Sequence, residues 1–150
     1  MSKRYISTEN QEQIKTRAAH RCEYCQSWAS YSAQPFVYEH IIPIAKGGET
    51  HLDNLCYACG GCNGHKYTKI KGVDPVSKSV ASLYHPRTQN WHQHFGWSDD
   101  YLQLVGLTFS TASALFTKKI GSLMNCGVGA WPCARPVKGD HKGRPYKTPQ

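Results

Sequence analysis

The sequence predicts an α+β fold in which two short strands, a loop between them and one following helix make up the core of a single small unit. Three observations predict it. Residues 36–41 (FVYEHI) and 54–58 (NLCYA) are rich in the aromatic, β-branched and apolar residues that suit a half-buried strand. Between them, Pro43 and the turn Lys46-Gly47-Gly48-Glu49 interrupt any regular element and keep the chain irregular as far as Asp53. Two C-x-x-C pairs, Cys22/Cys25 and Cys59/Cys62, bracket both strands, and a helix is expected after the second pair, over 63–70.

Each further element follows in chain order. Residues 8–20 read as a helix: Thr8 can cap it, Gln11 sits at the capping-box position, and Ile14 with Ala18 forms an apolar stripe. Cys22-Glu23-Tyr24-Cys25 makes a tight turn, and 26–35 is a loop. Residues 72–75 (GVDP) look like the end of the unit, and 74–84 reads as a short helix or turn. Residues 83–97 (LYHPRTQNWHQHFGW) hold Tyr84, Trp91, Phe95 and Trp97 among His85, His92 and His94. A small hydrophobic cap on the neighbouring unit is favoured there over a surface that stacks on bases. The organisation expected is one small domain at 8–72, an aromatic-rich extension packed on or near it at 73–106, and a basic tail at 107–150 in which 138–150 lacks order.

Composition limits the function classes. With 150 residues, 39% hydrophobic and 19% charged, the chain suits one globular domain with an extension. Nowhere is an apolar run long enough to cross a bilayer, and the start lacks the apolar core of a signal peptide, so the expectation is a cytoplasmic protein with no membrane partner. The net charge of +8 points to a polyanion such as nucleic acid. That charge is uneven: Lys and Arg against Asp and Glu number 9 against 7 in residues 1–75, but 7 against 1 in 107–150. The tail alone would give only salt-dependent, non-specific affinity.

Seven cysteines is an odd count, and four of them stand in two C-x-x-C pairs separated by 33 residues. That pattern reads as a structural zinc site before it reads as a disulfide framework or a redox pair. Each pair offers two thiolates, and four thiolates close a tetrahedral site with no open position. Cys56 makes an overlapping frame with Cys59, but Gly60 and Gly61 give the second frame the freedom of a knuckle turn, which leaves Cys56 as a buried thiol. Zinc would matter energetically, supplying on the order of 10 kcal/mol to so thin a core.

The chemistry-bearing residues lie between the knuckles. Phosphodiester hydrolysis needs a base for water and a cation to neutralise developing charge. His40 suits the first task, since an imidazole is largely neutral at physiological pH. Glu39 suits the second as a hard oxygen ligand for Mg²⁺ or Mn²⁺, and Asn63 adds an amide oxygen. Neighbouring residues on a regular strand point to opposite faces, so this pairing requires a bulge or a strand end at Glu39-His40.

Glu39-His40-Ile41-Ile42-Pro43, Gly47-Gly48, Asp53-Asn54-Leu55 and Cys59-x-x-Cys62-Asn63-x-x-Lys66 together resemble the HNH endonucleases. The resemblance covers about residues 20–71. It implies the ββα-metal (His-Me finger) nuclease core with two zinc knuckles and an N-terminal helix, acting on DNA to leave 5′-phosphate and 3′-hydroxyl ends. It also implies roles: His40 as general base, Glu39 and Asn63 on the catalytic cation, Asn54 holding His40 in place by hydrogen bonds across the loop, and Lys66, with Lys69 and Lys71, facing the phosphate backbone. In some members a histidine on the last helix is a ligand; the C-N-x-x-K pattern assigns that job to Asn63 rather than His65. The rival readings are a zinc-knuckle module that binds nucleic acid without cleaving it and, more weakly, a redox protein.

Overall fold

The computed structural model describes residues 5–73, 78–99 and 104–108. Helix α1 spans Thr8–Arg17. Its cap lies one residue earlier than expected: Ser7 Oγ accepts from the Asn10 N–H at 3.3 Å, and Gln11 Nε2 reaches back to the Ile6 carbonyl at 3.0 Å. The helix also ends early, because Ala18 caps it and both Ala19 and His20 take positive φ. Its buried residue is Ile14, fully inside the core, and Arg17 ties it to the far end of the loop by donating to the Leu52 and Leu55 carbonyls at 3.1 and 2.7 Å.

Strands β1 (Val37–His40) and β2 (Leu55–Ala58) pair antiparallel from Val37↔Ala58 to His40↔Leu55. All four residues of β2 are buried, which explains its continuous apolar reading, whereas in β1 only Glu39 is buried. Helix α2 follows over Gly60–Lys66, so it starts three residues before the expected 63–70 and stops four short of its end. Cys59 is the N-cap, and Gly60 and Gly61 are helical; they are the first turn of α2, not a free-standing knuckle loop.

Of the short helix or turn expected at 74–84, residues 74–77 lie outside the described residues, and the rest is corrected, because 80–82 is a strand. Strand β3 (Lys71–Val73) pairs antiparallel with β4 (Val80–Ser82). Helix α3 (Trp91–His94) and strands β5 (Phe95–Trp97) and β6 (Leu104–Gly106) complete the described chain. One apolar cluster joins these parts: Ile14, Tyr24, Leu55 and Cys56 pack with Tyr84, Trp91, Phe95 and Leu104. Trp91 Nε1 donates to the Tyr24 carbonyl at 2.7 Å, so the aromatic-rich segment is a cap seated on the first knuckle. The Arg87 guanidinium pairs with the buried Glu23 carboxylate, whose other oxygen accepts from the Tyr57 N–H at 3.0 Å. Past Thr108 the expected basic tail lies outside the described residues, as do Cys126 and Cys133. No described helix is long and apolar enough to cross a membrane.

Candidate metal centre and active site

The two C-x-x-C pairs converge although 33 residues separate them. In the first, the Cys22 N–H donates to the Ser27 carbonyl (2.9 Å) and the Gln26 N–H to the Cys22 carbonyl (2.8 Å), with Gln26 at φ 62° to close the turn. In the second, Cys59 caps α2 and its sulfur accepts from the Cys62 N–H at 3.4 Å. The sulfurs of Cys22, Cys25, Cys59 and Cys62 all lie within 4.8 Å of one another, and Cys25 and Cys59 stand 3.9 Å apart. A tetrahedral site with metal–sulfur bonds of about 2.3 Å has sulfur–sulfur edges of about 3.8 Å. The cluster fits that site and its all-thiolate donor set suits zinc.

Without a cation, thiolate character is concentrated on Cys59, while Cys22 and Cys62 are both held well above the ordinary thiol value. Hydrogen bonds from the Cys22, Cys25 and Cys62 thiols hold the Cys59 sulfur far below its ordinary value, while burial pushes Cys22 up. Four sulfurs so arranged share protons until a cation replaces them. Cys56 stays out of the group: it is fully buried on β2, 3.3 Å from Tyr24 Oη and 3.4 Å from Glu39 Oε1.

Glu39 and His40 leave β1 on opposite faces. The pairing runs in regular register through Glu39↔Cys56 and His40↔Leu55, without a bulge, and His40 is the last residue of the strand. Glu39 is 7% exposed, turned toward Cys56, Tyr24 and Lys66. Burial raises its carboxyl above the usual value, against a smaller opposing effect from Lys66. Lys66 was expected to face phosphate, and this is corrected: it is 2% exposed, its ammonium donating to the His40 carbonyl at 3.0 Å and lying 3.8 Å from Glu39 Oε1. A lysine held so far from water needs a carboxylate and a carbonyl to replace its hydration, and those are what it has found.

The loop beyond His40 is closed by Asn54. Its Oδ1 accepts from the Ile42 N–H at 2.8 Å, and its Nδ2 donates to the Ile42 and Glu49 carbonyls, each at 2.9 Å. The Ile41 N–H donates to the Asn54 carbonyl at 2.8 Å, which extends the β1–β2 ladder one step past the strand. Gly48 packs against the same place: a Cβ there would stand 1.8 Å from the Ile42 carbonyl oxygen and 2.8 Å from Asn54 Nδ2. The closed loop brings Thr50 to His40, with Oγ1 2.9 Å from Nε2. Burial, and then Lys66, lower the His40 imidazole below its ordinary value, which keeps it neutral near pH 7.

Residues 22–69 of the chain match the family model for HNH endonuclease. This segment is an HNH domain. Comparison with curated proteins and with solved structures gave no match.

The HNH segment starts at the first metal-cluster cysteine and ends at Lys69, so it includes both knuckles, the loop and α2. Asn63 lies on α2 one turn before Lys66 and is partly exposed. His65 is also partly exposed and its carbonyl accepts from Lys69 Nζ at 3.2 Å. Lys69 and Lys71 are exposed. Thr50, next to His40, and Tyr24 and Cys56, next to Glu39, are neighbours that no sequence signal announces. Thr50 is ten residues from His40 with no shared periodicity, and only the closed loop makes them adjacent.

Proposed function

We propose that this chain is a metal-dependent endonuclease that hydrolyses DNA phosphodiester bonds on a ββα-metal core made of β1, β2 and α2. The observation that carries the reading is His40: it ends β1 inside the HNH segment, with its ring held by Thr50 and its backbone held by Lys66. With Thr50 Oγ1 accepting from Nε2–H, the neutral ring keeps its lone pair on Nδ1. Nδ1 takes a proton from water as the water oxygen bonds to phosphorus, and the bond from phosphorus to the 3′-oxygen breaks. The products are a 5′-phosphate and a 3′-hydroxyl whose proton comes from solvent.

The residues for a catalytic cation are Glu39 and Asn63, one carboxylate and one amide oxygen. Such a donor set suits Mg²⁺ or Mn²⁺, which are commonly held by one or two carboxylates with water and phosphate completing the shell. When bound there, the cation neutralises charge that develops on the phosphate and leaving oxygen. In this structure Lys66 and Cys56 hold Glu39 Oε1 on the face of β1 opposite to His40, so a cation at this carboxylate would take the place of the Lys66 ammonium.

The burial of Glu39 also favours a second reading, a zinc module that binds nucleic acid and leaves it intact, because a carboxylate paired with a buried lysine has a structural reason to exist. One assay separates the two. Supercoiled plasmid incubated with the zinc-loaded protein should be nicked or linearised when Mg²⁺ or Mn²⁺ is added and not otherwise; retardation of intact plasmid with no cleavage in either metal would favour the module.

A further inference from the structure

We infer that the turn leaving α2 presents Tyr67 to an unstacked base of the DNA strand, with Lys69, Lys71 and Lys78 neutralising its phosphates. The inference rests on the nuclease reading above and adds the substrate feature it would engage. The Lys69 N–H donates to the Lys66 carbonyl at 2.9 Å, closing a turn with Tyr67 at its second position. Tyr67 has φ 47° and ψ −128° there, the backbone of the first central residue of a type II′ turn, which glycine adopts without cost and a bulky side chain does not. A tyrosine is the wrong residue for this turn on folding grounds alone.

Packing does not explain it either, since Tyr67 is 73% exposed. A large aromatic side chain held out in water from a strained backbone position marks a functional constraint. Its place is beside the proposed active site: the Tyr67 N–H donates to the Asn63 carbonyl at 2.8 Å, and the preceding residue, Lys66, reaches the His40 carbonyl.

The charge around it selects the partner. Lys69 and Lys71 follow Tyr67 and Lys78 enters β4, all three exposed, while Asp74 is the one acid between Asp53 and Asp99. An aromatic face beside a run of lysines, with so little opposing charge, is the composition that binds single-stranded nucleic acid by stacking and phosphate neutralisation. A duplex keeps its bases stacked and offers Tyr67 no face, so the fitting substrate is DNA with an unpaired stretch next to the cleaved bond.

The test compares the full zinc-loaded chain with Tyr67→Gly and Tyr67→Phe, without added divalent cation, by fluorescence anisotropy on a labelled single-stranded oligonucleotide and on its duplex. The expected result is that Tyr67→Gly melts no lower than wild type yet binds the single strand at least about fivefold more weakly, with a smaller loss on the duplex, while Tyr67→Phe binds as wild type. Unchanged single-strand affinity in Tyr67→Gly would overturn the inference, as would an equal loss in Tyr67→Phe or a lower melting temperature in Tyr67→Gly, which would make the tyrosine a structural residue. A wild-type dimer that Tyr67→Gly dissociates at unchanged affinity would assign the surface to a second copy of the chain and also overturn it. Wild-type protein that neither binds nor cleaves DNA would remove the nuclease reading and this inference together; cleavage by wild type with Tyr67→Gly binding normally would remove the inference alone.

Discussion

His85 shows how a single side chain here couples burial to protonation. Its Nδ1 accepts from the Arg87 N–H at 3.3 Å, a bond that requires that nitrogen to be unprotonated, and burial lowers the imidazole below its ordinary value. The unfolded chain therefore takes up this proton at higher pH than the folded chain does, so stability rises with pH through the window below about 6.5 and is lost as pH falls through it. Going from about pH 7 to about pH 6, the urea midpoint of the wild type should fall, and that of His85→Asn, which keeps an acceptor but cannot titrate, should fall less. Parallel pH dependences in the two proteins would contradict this. His40 shifts in the same direction, so some dependence remains in the variant.

At the scale of elements, the loop between β1 and β2 is held by one side chain. Asn54 makes three hydrogen bonds to backbone groups of Ile42 and Glu49, and the loop they close delivers Thr50 to His40. Asn54→Ala should cost about 1–3 kcal/mol of stability, since the bonds it breaks are partly exposed to water. It should also lower cleavage with zinc content unchanged; a variant with wild-type stability in denaturant titration would show that the loop closes without it. The strands and helix around this loop were readable because their signals are local: β-rich runs, a proline and glycine break, and a cysteine pair that announces a helix start. The pairing of β3 with β4 was not, for three-residue strands such as KGV and VAS carry too little pattern to separate them from a turn. Lys66 was misread for a different reason. The default for a lysine is an exposed head, and only the tertiary placement of Glu39 and the His40 carbonyl opposite it makes an inward one affordable.

Over the whole molecule, the metal cluster joins parts far apart in sequence. Cys22 and Cys25 lie before β1 and Cys59 and Cys62 after β2, so a cation among them fixes the first knuckle against the N-terminus of α2. That knuckle also carries Tyr24, to whose carbonyl Trp91 donates, so the aromatic cap depends on the same closure. Stripping the metal with a strong chelator, or Cys59→Ser, should abolish cooperative unfolding at ordinary temperature, because a structural zinc site supplies on the order of 10 kcal/mol and the strands here are only four residues long. Metal analysis of purified protein should give one zinc per chain; a stable, metal-free fold would contradict the assignment.

The same closure sets α2, with Asn63 and Lys66, against the end of β1, and this arrangement leads to the central claim that His40 is the general base. The most direct measurement is cleavage of supercoiled plasmid by His40→Ala beside the wild type in Mg²⁺ or Mn²⁺, each checked for zinc content and melting temperature. The account predicts a variant with the zinc and stability of the wild type whose cleavage rate is lower by about 10²- to 10⁴-fold. Cleavage by a folded, zinc-loaded His40→Ala protein at the wild-type rate would contradict it.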